Sequence, residues 1–363
     1  MKMKTLTITI EKGGTGKSLI ATQFAFFARH FFGLRVAVID LDQQQQTAET
    51  LVRSGKAQKA EVSSADFFTQ KTAAVLMGSQ FQDFTVFGAD HRSLVSVQSN
   101  THQDAAKDFF RASVNALSDH FDLVVIDTNP NDDIRSQAAL IACTHLVSPM
   151  QISSECLAGM QILIERINGA IPKNPDLADG FIGVLANMYQ QTDYQKKGID
   201  GFIAQLGEFM VQTWKYSFIK ENGELKRDGD GNLLMCRHPE FCVLKLHDVF
   251  KIAQDKACPL WELPNSADAF REMKKAFFTI IEQMHLGTNP HSKPTDADFE
   301  LFRRVSQKLG KYAGLAVRQY WMTPSPVYMP GILPTDAQAL AALRAKIPLS
   351  ALHLSLAEEL PEV

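Results

Sequence analysis

Seven consecutive residues, Lys12-Gly-Gly-Thr-Gly-Lys-Ser18, combine the residue types that hold a phosphate chain. Glycines at 13, 14 and 16 let the backbone curl until successive N–H groups converge on one concavity. A helix that starts behind such a loop adds the positive end of its dipole. Lys17 supplies a cation for the outer phosphates, and the Ser18 hydroxyl is of the kind that ligates Mg²⁺. Gly13, Gly14, Thr15, Gly16, Lys17, Ser18 and Leu19 are therefore the predicted cradle for a nucleotide, ATP or ADP. The commoner form of this loop opens on glycine. This chain has Glu11 there and carries instead a second lysine, Lys12.

Two carboxylate segments belong to the same chemistry. Val36-Ala-Val-Ile-Asp40-Leu-Asp42 is an apolar run ending in two acids two residues apart, which strand geometry places on one side. Leu123-Val-Val-Ile-Asp127 is a second apolar run ending in Asp, and Asp127 is expected to hold Mg²⁺ directly or through water. In an open parallel sheet ligands bind beyond the C-terminal ends of the strands, so three such ends converge on one site.

The elements that must position these groups are legible as an alternation of strands and helices. Strands are predicted at 4–10, 35–40, 84–87, 94–97, 122–127, 144–148 and 181–187. Helices are predicted at 17–32 (closed by Gly33), 47–80, 102–119, 133–142, 154–170 and 265–285, with Asn265 or Ser266 as cap. Buried runs alternating with amphipathic ones predict an α/β fold with a doubly wound, mostly parallel sheet. Residues 213–236, with Asn222-Gly223 and Asp228-Gly-Asp-Gly231, read as a β-hairpin insertion. Asp228, Asp230 and Asn232 imitate a calcium loop, but Leu233 and Pro239 stand where that loop needs Gly and Glu. The run 287–294 is a linker by composition. This predicts a nucleotide-binding domain over 1–287 and a helical, proline-rich extension over 288–363.

The Lys12–Ser18 loop, the Asp40-Leu-Asp42 pair and the Asp127 strand, in this order, resemble the ParA/MinD class of P-loop ATPases with a deviant Walker A loop, most of all the ParA family. Val147-Ser-Pro149 with the Glu155-Cys-Leu-Ala-Gly159 segment, and Leu263-Pro264-Asn-Ser266, resemble later family segments. The resemblance covers roughly residues 4–285. It implies a homodimer closed face to face on ATP, with Lys12 reaching the partner's phosphates and Asp42 directing the attacking water. Asp40 would join Ser18 and Asp127 around Mg²⁺, and Pro264 would lie beside the adenine. Asn187 is either an adenine contact or a turn-capping amide. The chain departs from its relatives at Gln43-Gln-Gln-Gln46, where Pro-Gln is frequent, and at Asn129, where a proline is frequent.

The resemblance further implies non-specific DNA binding by the ATP dimer and a ParB-like or other adaptor that stimulates hydrolysis. Net charge is −3 over 363 residues, so DNA binding needs a local patch. Candidates are Lys251, Lys256, Arg271, Lys274 and Lys275, with Arg303, Arg304, Lys308, Lys311 and Arg318 in the extension. A protein complex such as conjugation or secretion machinery is the alternative cargo. A MinD-like membrane role is disfavoured by the acidic end, Glu358, Glu359 and Glu362. The start of the chain reads as a strand rather than a leader, and no run reaches about 18 apolar residues, so a cytoplasmic protein, nucleoid-associated with ATP, is expected. The five cysteines show no paired spacing. Neither an iron–sulfur reductase, which would draw on Cys143 and Cys156, nor a zinc site at Cys236, His238 and Cys242 is favoured.

Overall fold

The structure, a computed structural model, describes residues 2–287 apart from 11, 12, 100, 101, 153–155, 219, 222, 223, 227, 228 and 230–234. Lys12, the calcium-like acids and the whole 288–363 extension with its basic residues lie outside the described residues. In chain order β1 (Lys4–Ile8) leads through the glycine loop to α1 (Lys17–Phe32) and β2 (Val36–Asp40). α2 (Gln46–Arg53), β3 (Gln58–Lys59), α3 (Thr72–Gly78), β4 (Phe84–Phe87), α4 (His91–Gln98) and α5 (Gln103–Asn115) follow. Then come β5 (Leu123–Asp127), α6 (Ile134–Ala142), β6 (His145–Gln151), α7 (Cys156–Ala170), α8 (Leu177–Gly180), β7 (Phe181–Tyr189) and α9 (Asp193–Leu206). Four strands, β8 (Gln212–Phe218), β9 (Lys220–Glu221), β10 (Glu224–Leu225) and β11 (Met235–Phe241), precede β12 (Val243–Lys245), α10 (Asp248–Asp255) and α11 (Ala267–Gln283).

Eight strands form one sheet in the order β12-β7-β6-β1-β5-β2-β4-β3, and each recorded pairing is parallel. β1 lies in the middle, with the chain winding outward on both sides. This bears out the doubly wound α/β reading, with a sheet that is parallel throughout. The apolar runs show why. Along β2, Val36 and Val38 enter one core while Ala37 and Ile39 enter the other, and β5 divides Leu123 and Val125 from Val124 and Ile126 in the same way. A strand buried on both faces needs an unbroken apolar run and helices above and below it. α1 and α11 cover one face through Phe24, Phe27 and Phe277, whose rings meet at 5.2–5.4 Å. Phe110 of α5 belongs to the opposite core.

Several expected boundaries shift. Residues 94–97 are helix, not strand: Asp90 accepts from Ser93 N to start α4, and Leu94 and Val97, three apart, are its buried residues. Residues 47–80 are not one helix, because Gln58 and Lys59 join the sheet edge between α2 and α3. Gly33 ends α1 as expected, in left-handed conformation at φ 63°. Ser266 stands at the start of α11, but its hydroxyl donates to Leu263 O instead of capping the helix. Among the described residues, no helix is long and apolar enough to cross a membrane.

The chain divides into two units, 1–211 with 241–286, and 212–240 with 287–363. Within the described part of the second unit, β8 pairs with β11 and β9 pairs antiparallel with β10. That matches the hairpin read from its turn residues.

Candidate nucleotide-binding site

The C-terminal ends of β1, β5 and β2 lie side by side, with Ile8 opposite Asp127 and Asp127 opposite Asp40. Between β1 and α1 the chain turns through Gly14 at φ 75° and Gly16 at φ 85°, values that L side chains rarely adopt. Gly16 has a second constraint: a Cβ there would stand 2.5 Å from Asn187 Nδ2. Asn187, 1% exposed at the end of β7, donates that amide to Thr15 O at 2.6 Å. That bond ties the phosphate-binding loop to β7.

Lys17 is 6% exposed. Burial lowers its pKa from the ordinary lysine value, while the Asp127 and Asp42 charges hold it up. Asp127 is fully buried. Its Oδ2 accepts from the Thr47 hydroxyl at 2.6 Å, and its Oδ1 has no hydrogen-bond partner among the described residues. Burial pushes its carboxyl up to about 6, against the Thr47 and Ser18 hydroxyls and the Lys17 charge. A buried carboxylate oxygen without a donor, next to a serine that opens a helix, suits a hard cation that takes few protein oxygens and shares the rest with phosphate. Ser18 and Asp127 fit Mg²⁺ in this sense.

Asp40 and Asp42 divide. Asp40 is fully buried, with Oδ1 accepting from Asp42 N at 3.0 Å and Oδ2 from Ala48 N at 2.9 Å. Burial, followed by the Asp127 charge, raises its pKa well above the ordinary value. Asp40 thus ties down the loop that carries Asp42 and is absent from the lining of the cleft, whereas Asp42 lines it. The glutamine run that departs from the relatives has a role here. Gln45, in left-handed conformation at φ 52°, donates to Asp42 O at 2.6 Å and accepts from Ala89 N at 2.7 Å.

The cleft has a volume of about 600 Å³. It is lined by Gly13 to Leu19 together with Asp42, Asn129, Arg135, Met188, His247 and Lys251. Lys251, expected in a DNA patch, lines this cleft. Pro264 lines an adjoining cavity of about 370 Å³ with His247, Asp248 and Asn265. Lys274 is 3% exposed with its ammonium 5.8 Å from the Phe270 ring centre, so it cannot belong to a DNA patch. Thr47, Asp133 and Arg135 escaped the sequence reading, and Gln45 and Asn129 entered it only as departures from the relatives, since polar residues in loops and first helical turns carry no periodic signal. Cys143 is buried, which pushes its thiol up to about 12, and an inert thiol is unsuited to a cluster. Among the described residues no group of three or more His, Cys, Asp or Glu could hold a metal by itself.

The family model for the AAA domain (AAA_31) matches residues 3–178. Protein IncC of Escherichia coli is 32% identical over 188 residues, 51% of this chain and 50% of its own length. A second IncC from the same organism is 31% identical over 200 residues, again 50% of its length. Over residues 3–178 the chain carries this AAA-type domain, which with the IncC matches supports the ParA-family resemblance read from the sequence. It spans about half the length of these curated relatives. In structure, the family fold is matched by apo McdA of Cyanothece (TM-score 0.56, 17% identity, 78% of this chain and 99% of that one). The ATP complex of a McdA variant matches at TM-score 0.57 and 17% identity, over 78% of this chain and 96% of that one.

Proposed function

We propose that the chain is a ParA-type ATPase that dimerises on binding Mg-ATP, binds DNA non-specifically in that state and hydrolyses ATP to drive DNA segregation. The observation that carries this reading is the pair Lys17 and Ser18 in the lining of the cleft, with the buried Asp127 close to both and its Oδ1 unpartnered among the described residues. Likeness to the ParA family and the ATP complex of a McdA variant support the choice of nucleotide. The backbone N–H groups of 13–19 would hold the phosphates, and Lys17 would neutralise the outer ones. Mg²⁺, held by Ser18 and Asp127, would supply Lewis-acid charge at the phosphates. Asp42, in the wall of the cleft, would accept a proton or hydrogen bond from the attacking water, and Lys12 would reach the partner's phosphates.

The test is binding to an arbitrary duplex with Mg-ATP, Mg-ADP or no nucleotide across a salt series, with Lys12→Ala alongside. Salt-sensitive binding with ATP alone, lost in the variant, supports the proposal. ATP-dependent dimerisation without DNA binding would move the cargo to a protein complex. Absence of nucleotide binding would overturn the whole reading.

A further inference from the structure

We propose that Arg135 is a positioning residue for Asp42, joining the turn after β5 to the loop after β2 through the Leu41 carbonyl. The inference deepens the hydrolysis reading above and rests on it. Arg135, the second residue of α6, has a fully buried side chain. Its Nε lies 3.2 Å from each Asp133 oxygen, and its Nη2 donates to Oδ2 at 2.5 Å. Its Nη1 donates to Leu41 O at 3.3 Å. Leu41 is thereby held on both sides, since its N–H donates to Asp127 O at 2.9 Å. The next residue is Asp42. At the other end, Asp133 Oδ2 also accepts from Asn129 Nδ2 at 2.9 Å, two residues after Asp127. One chain of contacts, Asn129 to Asp133 to Arg135 to Leu41, spans the two loops that carry Asp127 and Asp42.

The fold alone does not call for this arginine. Asp133 caps α6 by accepting from Arg135 N and closes a capping box with Ser136, and neither bond uses the guanidinium. A buried ion pair is seldom a net gain over well-packed apolar residues, because desolvation offsets the attraction. What the arginine adds is a planar fork that engages a carboxylate on one side and a carbonyl on the other. Lysine, a point charge on a flexible stem, cannot do both.

The experiment uses the full chain with Arg135→Lys, the charge-balanced Arg135→Met with Asp133→Asn, and each combined with Asp42→Ala. ATP turnover gives kcat and KM, binding of a fluorescent ATP analogue gives Kd, and thermal melts report the fold. Loss of orientation at the reacting group predicts kcat down by about 100-fold in both Arg135 variants. Kd and KM should move less than about threefold, the mark of an interaction felt in the transition state. Added to Asp42→Ala, either change should cost nothing further. Wild-type kcat in Arg135→Lys, losses that add to Asp42→Ala, or a fall in kcat matched by a rise in Kd and a lower melting temperature would each overturn the proposal. A wild-type chain without turnover would fail before any variant is made, and the hydrolysis reading would fall together with this one.

Discussion

Gly16 and Asn187 stand 171 positions apart and act as one part of the loop. Gly16→Ala forces alanine into left-handed backbone at φ 85°, which costs about 1–2 kcal/mol. Its Cβ also drives the Asn187 amide off Thr15 O, and a buried hydrogen bond lost this way costs about 1–3 kcal/mol. The sum, about 2–5 kcal/mol, corresponds to a loss of roughly 30-fold or more in nucleotide affinity. Asn187→Ala loses only the hydrogen bond, about 1–3 kcal/mol. In the double variant the hydrogen bond is absent already and the clash is gone, so the loss should equal that of Gly16→Ala alone. Fluorescent-nucleotide titration of the four proteins, with melting curves to check the fold, gives the cycle. Losses that simply add would refute the reasoning, for the glycine would then be needed for its φ alone.

Thr47→Val removes the 2.6 Å hydrogen bond to Asp127 and should raise the Mg²⁺ concentration for half-maximal turnover tenfold or more, since hydrogen bonds to charged groups contribute about 1.5–3 kcal/mol; a Mg²⁺ titration checks it. Lys274 is depressed to about 8 by burial and then by the Arg271 charge. Between about 8 and the ordinary value of 10.5 the unfolded chain binds the extra proton, so stability rises with pH across that window and is lowest, and constant, below it. Lys274→Met should therefore raise stability by up to about 3 kcal/mol at pH 7, with the gain closing as pH approaches 10.5, as melts at a series of pH values would show.

The phosphate loop and the two aspartate-ended strands were legible because each is a local pattern with a single physical meaning. An apolar run that stops at an acid is a buried strand reaching its rim. Tertiary facts were not. Asn187 could be placed at a strand end, but nothing local to it showed that its amide would reach Thr15 O, 172 residues away. Lys251 and Lys274 are both helical lysines near basic neighbours, yet one lines the cleft and the other is buried against Phe270. Residues 94–97 read as strand because apolar residues crowd there. Asp90 decided the outcome, by capping a helix whose inward positions are three apart. β12, three residues long, owes its place to pairing with β7 more than to any pattern of its own.

The register that sets Asp40 beside Asp127 also has a cost for the empty protein. Two fully buried acids stand on adjacent strands with Lys17 as the nearby cation, and burial raises the pKa of both. Such a rim is under electrostatic load until something positive enters. Whatever brings positive charge to Asp127 lightens that load, and a ligand bound to the folded chain alone adds its binding free energy to the fold. Occupancy of the cleft and firmness of the central sheet are then one thermodynamic quantity, and the vacant form is the softer of the two.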